Sequence, residues 1–169
     1  RQVANAATGY AMVTGEPGVT MVTAGPGAIN MAAGIAAAWY ACAPVVAICT
    51  STPLCYTGKG AVQEFDSRDA YHPITKWRGY PTSTERLPEF VATAFRYATT
   101  GRKGPVLLDI PWDLVLLEVD KKDAPIVPPE RYRTTARPYG DPQLVKKAVK
   151  WLLEAERPGI LIGSGILWS

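Results

Sequence analysis

Residues able to do chemistry are concentrated in a few short runs. "GPGAIN" at Gly25–Asn30 sets two glycines and a proline between a strand-like run, Val19–Thr23, and a helix made almost entirely of alanine and glycine. A glycine turn that opens a helix exposes backbone N–H groups able to meet an anion or a flat polar group. Three readings compete. One is a tight turn whose glycines allow positive φ and close packing. The second is a nucleotide phosphate loop, and it fits poorly. G-x-x-x-x-G-K-[ST] is absent, the third glycine of G-x-G-x-x-G is missing, and no acidic residue follows a second strand at the expected distance. The third uses the helix as well: Ala28, Ala32, Ala33, Gly34, Ala36 and Ala37 let another backbone come close, which favours a turn and helix pressed into an interface with a cofactor beneath.

The other candidates are isolated. Gln63 in "GAVQEFD" reads by itself as a loop glutamine in water. Glu64 and Asp66 suggest a metal pair, but a Mg²⁺ site needs several hard oxygen ligands. His72, the only histidine, offers acid–base chemistry or is an ordinary loop residue. Cys42, Cys49 and Cys55 lie in or near apolar runs without C-x-x-C spacing, and read as buried reduced thiols of a cytosolic-type protein. A net charge of +3, spread evenly, argues against nucleic acid or a membrane surface. The apolar stretches are broken by Gly, Pro or Asn well short of a membrane span.

These residues need a scaffold, and the periodicities supply one. Val3, Ala7, Tyr10 and Ala11 predict a helix from Arg1 to about Val13, stopped at Gly15. Strand Val19–Thr23, a helix from about Ala28 to Tyr40 and strand Val45–Cys49 follow. A polar loop leads to a short helical piece around Gln63–Ala70 and an extended "ITKWRGY". The run from Thr82 to Gly101 predicts a helix opened by a Thr82/Glu85 capping box, with Leu87, Phe90, Val91, Ala94, Phe95 and Ala98 on one face. "GPVLLDIPW" reads as a buried strand ended by Pro111. Helices alternating with fully apolar strands imply an α/β fold with a mainly parallel sheet flanked by helices. Residues 1–117 form this unit. Residues 118–140, rich in proline and charge without apolar period, read as a linker. From Asp141, a good N-cap before Pro142, residues 141–169 read as the start of a second α/β domain: a helix Gln143–Glu156, then a strand and glycine turn in "RPGILIGSG". The first helix opens without a cap and the last strand-like run has no helix after it, so the chain reads as a segment of a longer protein.

The run "GYAMVTGEPGVTMVTAGPGAINMAAGIAAAWYACAPVVAICT" resembles the N-terminal pyrimidine-binding domain of thiamine-diphosphate (ThDP) enzymes, in the group of acetolactate synthases, benzaldehyde lyase and 2-hydroxyacyl-CoA lyases. "GAVQEFD", "PITKW", "TTGRKGPVLLDIPWDL" and "AERPGILIGSG" match further landmarks of that family in the same order.

The resemblance implies an enzyme that makes or breaks a C–C bond next to a carbonyl, in the first instance acetolactate synthase-like. Its substrate would be a 2-keto acid, or a 2-hydroxy ketone or acyl compound. It implies ThDP, with Mg²⁺ held by ligands outside this segment, possible FAD, a homodimer or homotetramer, and a cytoplasmic setting. Gly25, Pro26, Gly27 and Asn30 would wall the aminopyrimidine ring. Gln63 would point at the reacting group of the substrate, as both the catalytic and a substrate-binding residue. Lys76 would lie near the substrate entrance, and Arg102 would meet FAD or an adenine nucleotide. Val62 stands where family members often have Phe, and Lys103 where they commonly have Pro. The family's catalytic glutamate would fall immediately before Arg1. A noncatalytic nucleotide-binding or regulatory α/β module is the alternative of another class, and the residue before Arg1 discriminates the two.

Overall fold

A computed structural model describes residues 1–133 and 139–168. Helix α1 (Gln2–Thr14) ends as the sequence predicts, with Gly15 at φ 75° and its N–H on the carbonyl of Ala11. It runs across strand β1 (Gly18–Val22) so closely that a Cβ on Gly18 would sit 2.1 Å from the Ala7 carbonyl oxygen. Helix α2 (Pro26–Tyr40) starts two residues before the expected Ala28, because Pro26 already has the φ of a first helical turn and needs no N–H there. Strand β2 (Val45–Ser51) leads into a long loop with one 3₁₀ turn at Leu54–Tyr56. Then come α3 (Ser67–Tyr71), the two-residue β3 (Arg78–Gly79), α4 (Leu87–Thr99), β4 (Val106–Pro111), α5 (Trp112–Leu116) and α6 (Pro142–Glu154).

The sheet order is β1-β2-β4-β3, and every pairing is parallel. Its two faces are filled differently. Val45, Ala47, Cys49 and Leu107 meet α1 and α2 through Ala4, Ala11, Ala28, Met31, Ile35 and Ala38. On the other face Val46 and Val106 pack on Ala94 and Ala98 of α4, and Leu108 and Ile110 on Leu87, Phe90 and Val91. β4 is therefore buried along its whole length, as expected for a central parallel strand covered on both faces.

Three expectations differ. The Thr82/Glu85 capping box does not form: Ser83 opens a 3₁₀ turn at Thr84–Arg86 that precedes α4, and the Thr84 hydroxyl instead donates to the Leu114 carbonyl at 2.8 Å. The short helical piece begins at Ser67 rather than Gln63, capped by Asp66, so Gln63 stays in the loop. The strand expected in "RPGILIGSG" is absent: no described strand lies beside it to complete a ladder, and Ser164–Trp168 forms a 3₁₀ turn. α6 does form from Pro142 behind an Asp141 cap, with no buried residue. Within the expected linker, residues 134–138 lie outside the described residues. Earlier in it, Ile126, Val127 and Tyr132 line a groove with Leu87, Pro88 and Val91 of α4, and Arg133 pairs with Glu16.

Candidate active site

The carboxyl ends of parallel strands are where open α/β sheets take ligands, because loops and helix N-termini converge there. Here the converging pieces are the turn after β1 and the loop after β2. Gly25 is buried at φ 58°, and a Cβ on it would lie 3.0 Å from both the Cβ and the carbonyl oxygen of Gln63. A Cβ on Gly27 would lie 2.9 Å from Thr23 Cγ2. The glycines are thus required by contacts inside the chain, and those contacts seat Gln63 on the turn. Pro26 and Asn30 are exposed on the outer side of the same turn.

Gln63 is a non-glycine residue at φ 61°, a conformation that costs an L-residue energy and persists only where its surroundings impose it. Its side chain is exposed and makes no hydrogen bond among the described residues. The surroundings are well defined. The Glu64 carboxylate accepts the N–H groups of Gly58 and, at 3.1 Å, Ala61, and the Gly58 bond is the chief reason its pKa lies below the ordinary value. Asp66 caps α3 and forms a two-pronged pair with Arg68, which holds its pKa down. Glu64 and Asp66 therefore hold the loop. No group of three His, Cys, Asp or Glu suited to a metal occurs among the described residues. Val62, 90 % exposed beside Gln63, lines an apolar hollow of about 310 Å³ with Pro53, Tyr56, Ala61 and Trp112.

Lys76 and Arg102 are elsewhere. The Lys76 N–H donates to the Pro105 carbonyl just before β4, and its ammonium donates to the carbonyls of Tyr97 and, at 2.7 Å, Thr100. It caps the carboxyl end of α4, with its pKa lowered by burial and then by the charge of Arg102. Arg102 lies 5.0 Å above the Trp39 ring and donates from Nε to Cys42 Sγ at 3.2 Å. Both residues belong to the opening end of β4, a strand length of roughly 20 Å from the Gln63 end. The structure brings Gly25, Gly27 and Gln63 together and does not bring Lys76 or Arg102 to them. His72 is exposed in a 3₁₀ turn and away from the glycine turn's contacts.

Sequence reasoning missed the groups beneath the loop. Asp109, 1 % exposed in mid-strand, accepts the Ser67 hydroxyl, and the Cys49 thiol donates to Ser67 Oγ at 3.6 Å. Cys49 and Asp109 are register partners across β2 and β4, so they share a face and Ser67 sits over both. Burial, then the Asp109 charge, pushes the Cys49 thiol up to about 12, and burial raises the Asp109 carboxyl against the pull of Ser67 and Arg68. The Tyr71 hydroxyl donates to the Ala28 carbonyl, tying α3 to the first turn of α2. The available signal was the acid inside "VLLDIP", a charged residue in an otherwise apolar buried strand.

Residues 1–70 match the family model described as thiamine pyrophosphate enzyme, N-terminal TPP binding domain. Over residues 1–70 the chain is thus similar to the thiamine pyrophosphate enzymes. The chain is 40 % identical over 171 aligned residues to a probable acetolactate synthase large subunit of Methanocaldococcus jannaschii, covering 98 % of the chain and 28 % of that relative. It is 39 % identical to the acetolactate synthase large subunit of Corynebacterium glutamicum (96 % and 26 %) and 37 % identical to an acetolactate synthase of Arthrospira platensis (98 % and 29 %). The chain thus spans just over a quarter of the length of these curated relatives.

At Gly25 and Gly27 the space a side chain would fill is taken by Gln63 and by Thr23 of this chain, so the two glycines serve close packing of the turn, and the turn itself carries no cation that would hold a diphosphate.

Proposed function

We propose that the full-length protein is a ThDP-dependent enzyme acting on the C–C bond next to a carbonyl, of the acetolactate synthase kind, with 2-keto acids as substrates. The observation that carries this is the seating of Gln63 on the Gly25 turn, with an exposed amide that makes no hydrogen bond among the described residues. When bound, ThDP supplies the electron sink that lets such a bond break or form. The turn Gly25–Gly27 would wall the aminopyrimidine ring, with the exposed Pro26 and Asn30 on its outer side. The Gln63 amide donates to charge developing on the substrate oxygen, where preorganised donors are most effective. Val62, Tyr56 and Trp112 shed water beside it.

In this reading Mg²⁺ and the diphosphate are held outside residues 1–169, and two or four copies assemble. The small-residue helix supports assembly in part. Gly34 is used against α1, where a Cβ would lie 2.6 Å from Ala4 Cβ, while Ala33, Ala37 and Tyr40 remain exposed. Arg102, exposed over Trp39, is proposed to meet FAD, far from the chemistry. Lys76 acts through its α4 cap rather than on the substrate. Residues 118–140 act as linker and 141–169 open the next domain. A cytoplasmic setting suits the three free thiols, of which only Cys49 is buried as expected, Cys42 being half-buried and Cys55 exposed on the loop after β2; among the described residues no helix is long and apolar enough to cross a membrane.

A second reading rests on Val62. The open hollow of about 310 Å³ beside Gln63 admits an aryl or long acyl group, as a benzaldehyde lyase-like or 2-hydroxyacyl-CoA lyase-like enzyme needs. Product analysis separates the two. Purified full-length protein given pyruvate, ThDP and Mg²⁺ should release CO₂ and form acetolactate, and should carry a flavin that Arg102→Ala depletes. A colourless protein that ignores pyruvate but cleaves aromatic 2-hydroxy ketones would select the lyase.

A further inference from the structure

The loop that carries Gln63 leaves the sheet at Thr52 and returns at Ser67, and its two ends are held by acids of β4 and α5. At the outgoing end the Leu54 N–H donates to Asp113 Oδ2 at 3.2 Å. At the returning end the Ser67 hydroxyl donates to Asp109 Oδ2. Asp109 and Asp113 stand on either side of the bend where β4 gives way to α5. That bend is itself pinned by the Thr84 hydroxyl on the Leu114 carbonyl. The middle of the loop rests on the glycine turn, where Gly25 leaves no space for a Cβ against Gln63.

The placement of Asp109 is costly unless it serves something. A carboxyl that is 1 % exposed loses its hydration, and Arg68, the nearby cation, is committed to Asp66. Among the described residues, Oδ1 of both aspartates is buried without a hydrogen bond of ordinary geometry, the Ser51 hydroxyl being the polar group beside Asp109. Ordinary apolar residues would fill this end of β4 at lower cost. What an acid provides there is a strong, directional acceptor for a donor on the loop.

We propose that Asp109, through Ser67, and Asp113, through the Leu54 amide, are positioning residues that fix the two ends of the loop and so hold Gln63 in its left-handed conformation over the glycine turn. The inference rests on the proposed role of Gln63, and its test keeps the two separable. In the full-length protein, Ser67→Ala removes the donor to Asp109, and Asp113→Ala removes the acceptor for Leu54. Asp113→Asn keeps a carbonyl oxygen in place and serves as the rescue.

Two readouts are taken. Hydrogen exchange of peptides covering residues 54–66 should be faster in Ser67→Ala and Asp113→Ala, and close to wild type in Asp113→Asn. Turnover should fall about threefold to tenfold in the two alanine variants, the loss expected for one hydrogen bond. On a Gln63→Ala background the same two changes should cost less than about twofold more, because they act through Gln63. Unchanged exchange in both alanine variants overturns the proposal. So do losses of turnover that multiply fully with that of Gln63→Ala, since these would mean the acids only support the fold. Faster exchange with turnover indifferent to Gln63→Ala supports the clamp and overturns the role given to Gln63.

Discussion

Gln63 combines two properties that rarely coincide by accident: a backbone held at φ 61° and a side chain left exposed with no partner among the described residues. An L-residue in the left-handed region is strained by about 1 kcal/mol or more. Gln63→Gly should therefore raise the denaturant midpoint, by a stability gain of about 1 kcal/mol, while lowering turnover in the full-length protein. Gly25→Ala should act in the opposite sense on the fold. Its added methyl would meet Gln63 at 3.0 Å in a conformation alanine disfavours, so both stability and turnover should fall.

Asp109 adds a pH dependence at the same scale. Burial raises its pKa in the folded chain, with Cys49, Ser67 and Arg68 facing it from β2 and α3. The folded state then binds the proton more tightly than the unfolded state does. Its contribution is complete below the ordinary carboxylate pKa and is lost as pH rises through the raised value. Asp109→Asn should flatten that decline in denaturation curves measured across the window, and a decline equal to wild type would contradict the assignment.

Among the elements, α1 and α2 show what the small-residue pattern means. Gly34 lies under Ala4 and the Arg1 carbonyl, and a Cβ there would come within 2.6 Å of Ala4 Cβ. Alanine gains about 1 kcal/mol of helix propensity over glycine. Overpacking typically costs about 1–3 kcal/mol. The clash should win, so Gly34→Ala should lower the thermal midpoint even though alanine is the better helix former; a rise would mean α1 yields easily.

These elements were legible because periodicity and end signals agree in them. α1 ends at Gly15, α2 runs to Tyr40 and β4 spans the apolar run before Trp112. The opening of α4 was not legible, because Thr82 and Glu85 have capping-box spacing but Thr84 finds a tertiary acceptor on Leu114. The loop positions of Glu64 and Asp66 were also hidden: their bonds to Gly58, Ala61 and Arg68 depend on how the loop folds back, which no local pattern encodes. The glycine turn was legible from its residue types, and Gln63 only through the family resemblance. What sequence alone could not supply is that one rests on the other.

At the scale of the whole molecule, the candidate site is one-sided. The described residues offer a glycine turn and an exposed amide at the carboxyl ends of β1 and β2, with no metal cluster among them. Residues 1–169 by themselves should bind ThDP weakly in calorimetry, and micromolar or tighter affinity would put the diphosphate anchor inside this chain. Titration of ThDP against turnover of pyruvate by the full-length protein, wild type beside Gln63→Ala, bears most directly on the central claim. Wild type should be saturable and wholly ThDP-dependent. Gln63→Ala should keep the same half-saturating ThDP concentration while kcat/KM for pyruvate falls about tenfold to a hundredfold, the loss of a hydrogen bond to a charged partner at roughly 1.5–3 kcal/mol. Turnover independent of ThDP, or a variant with unchanged kcat/KM, would contradict the account.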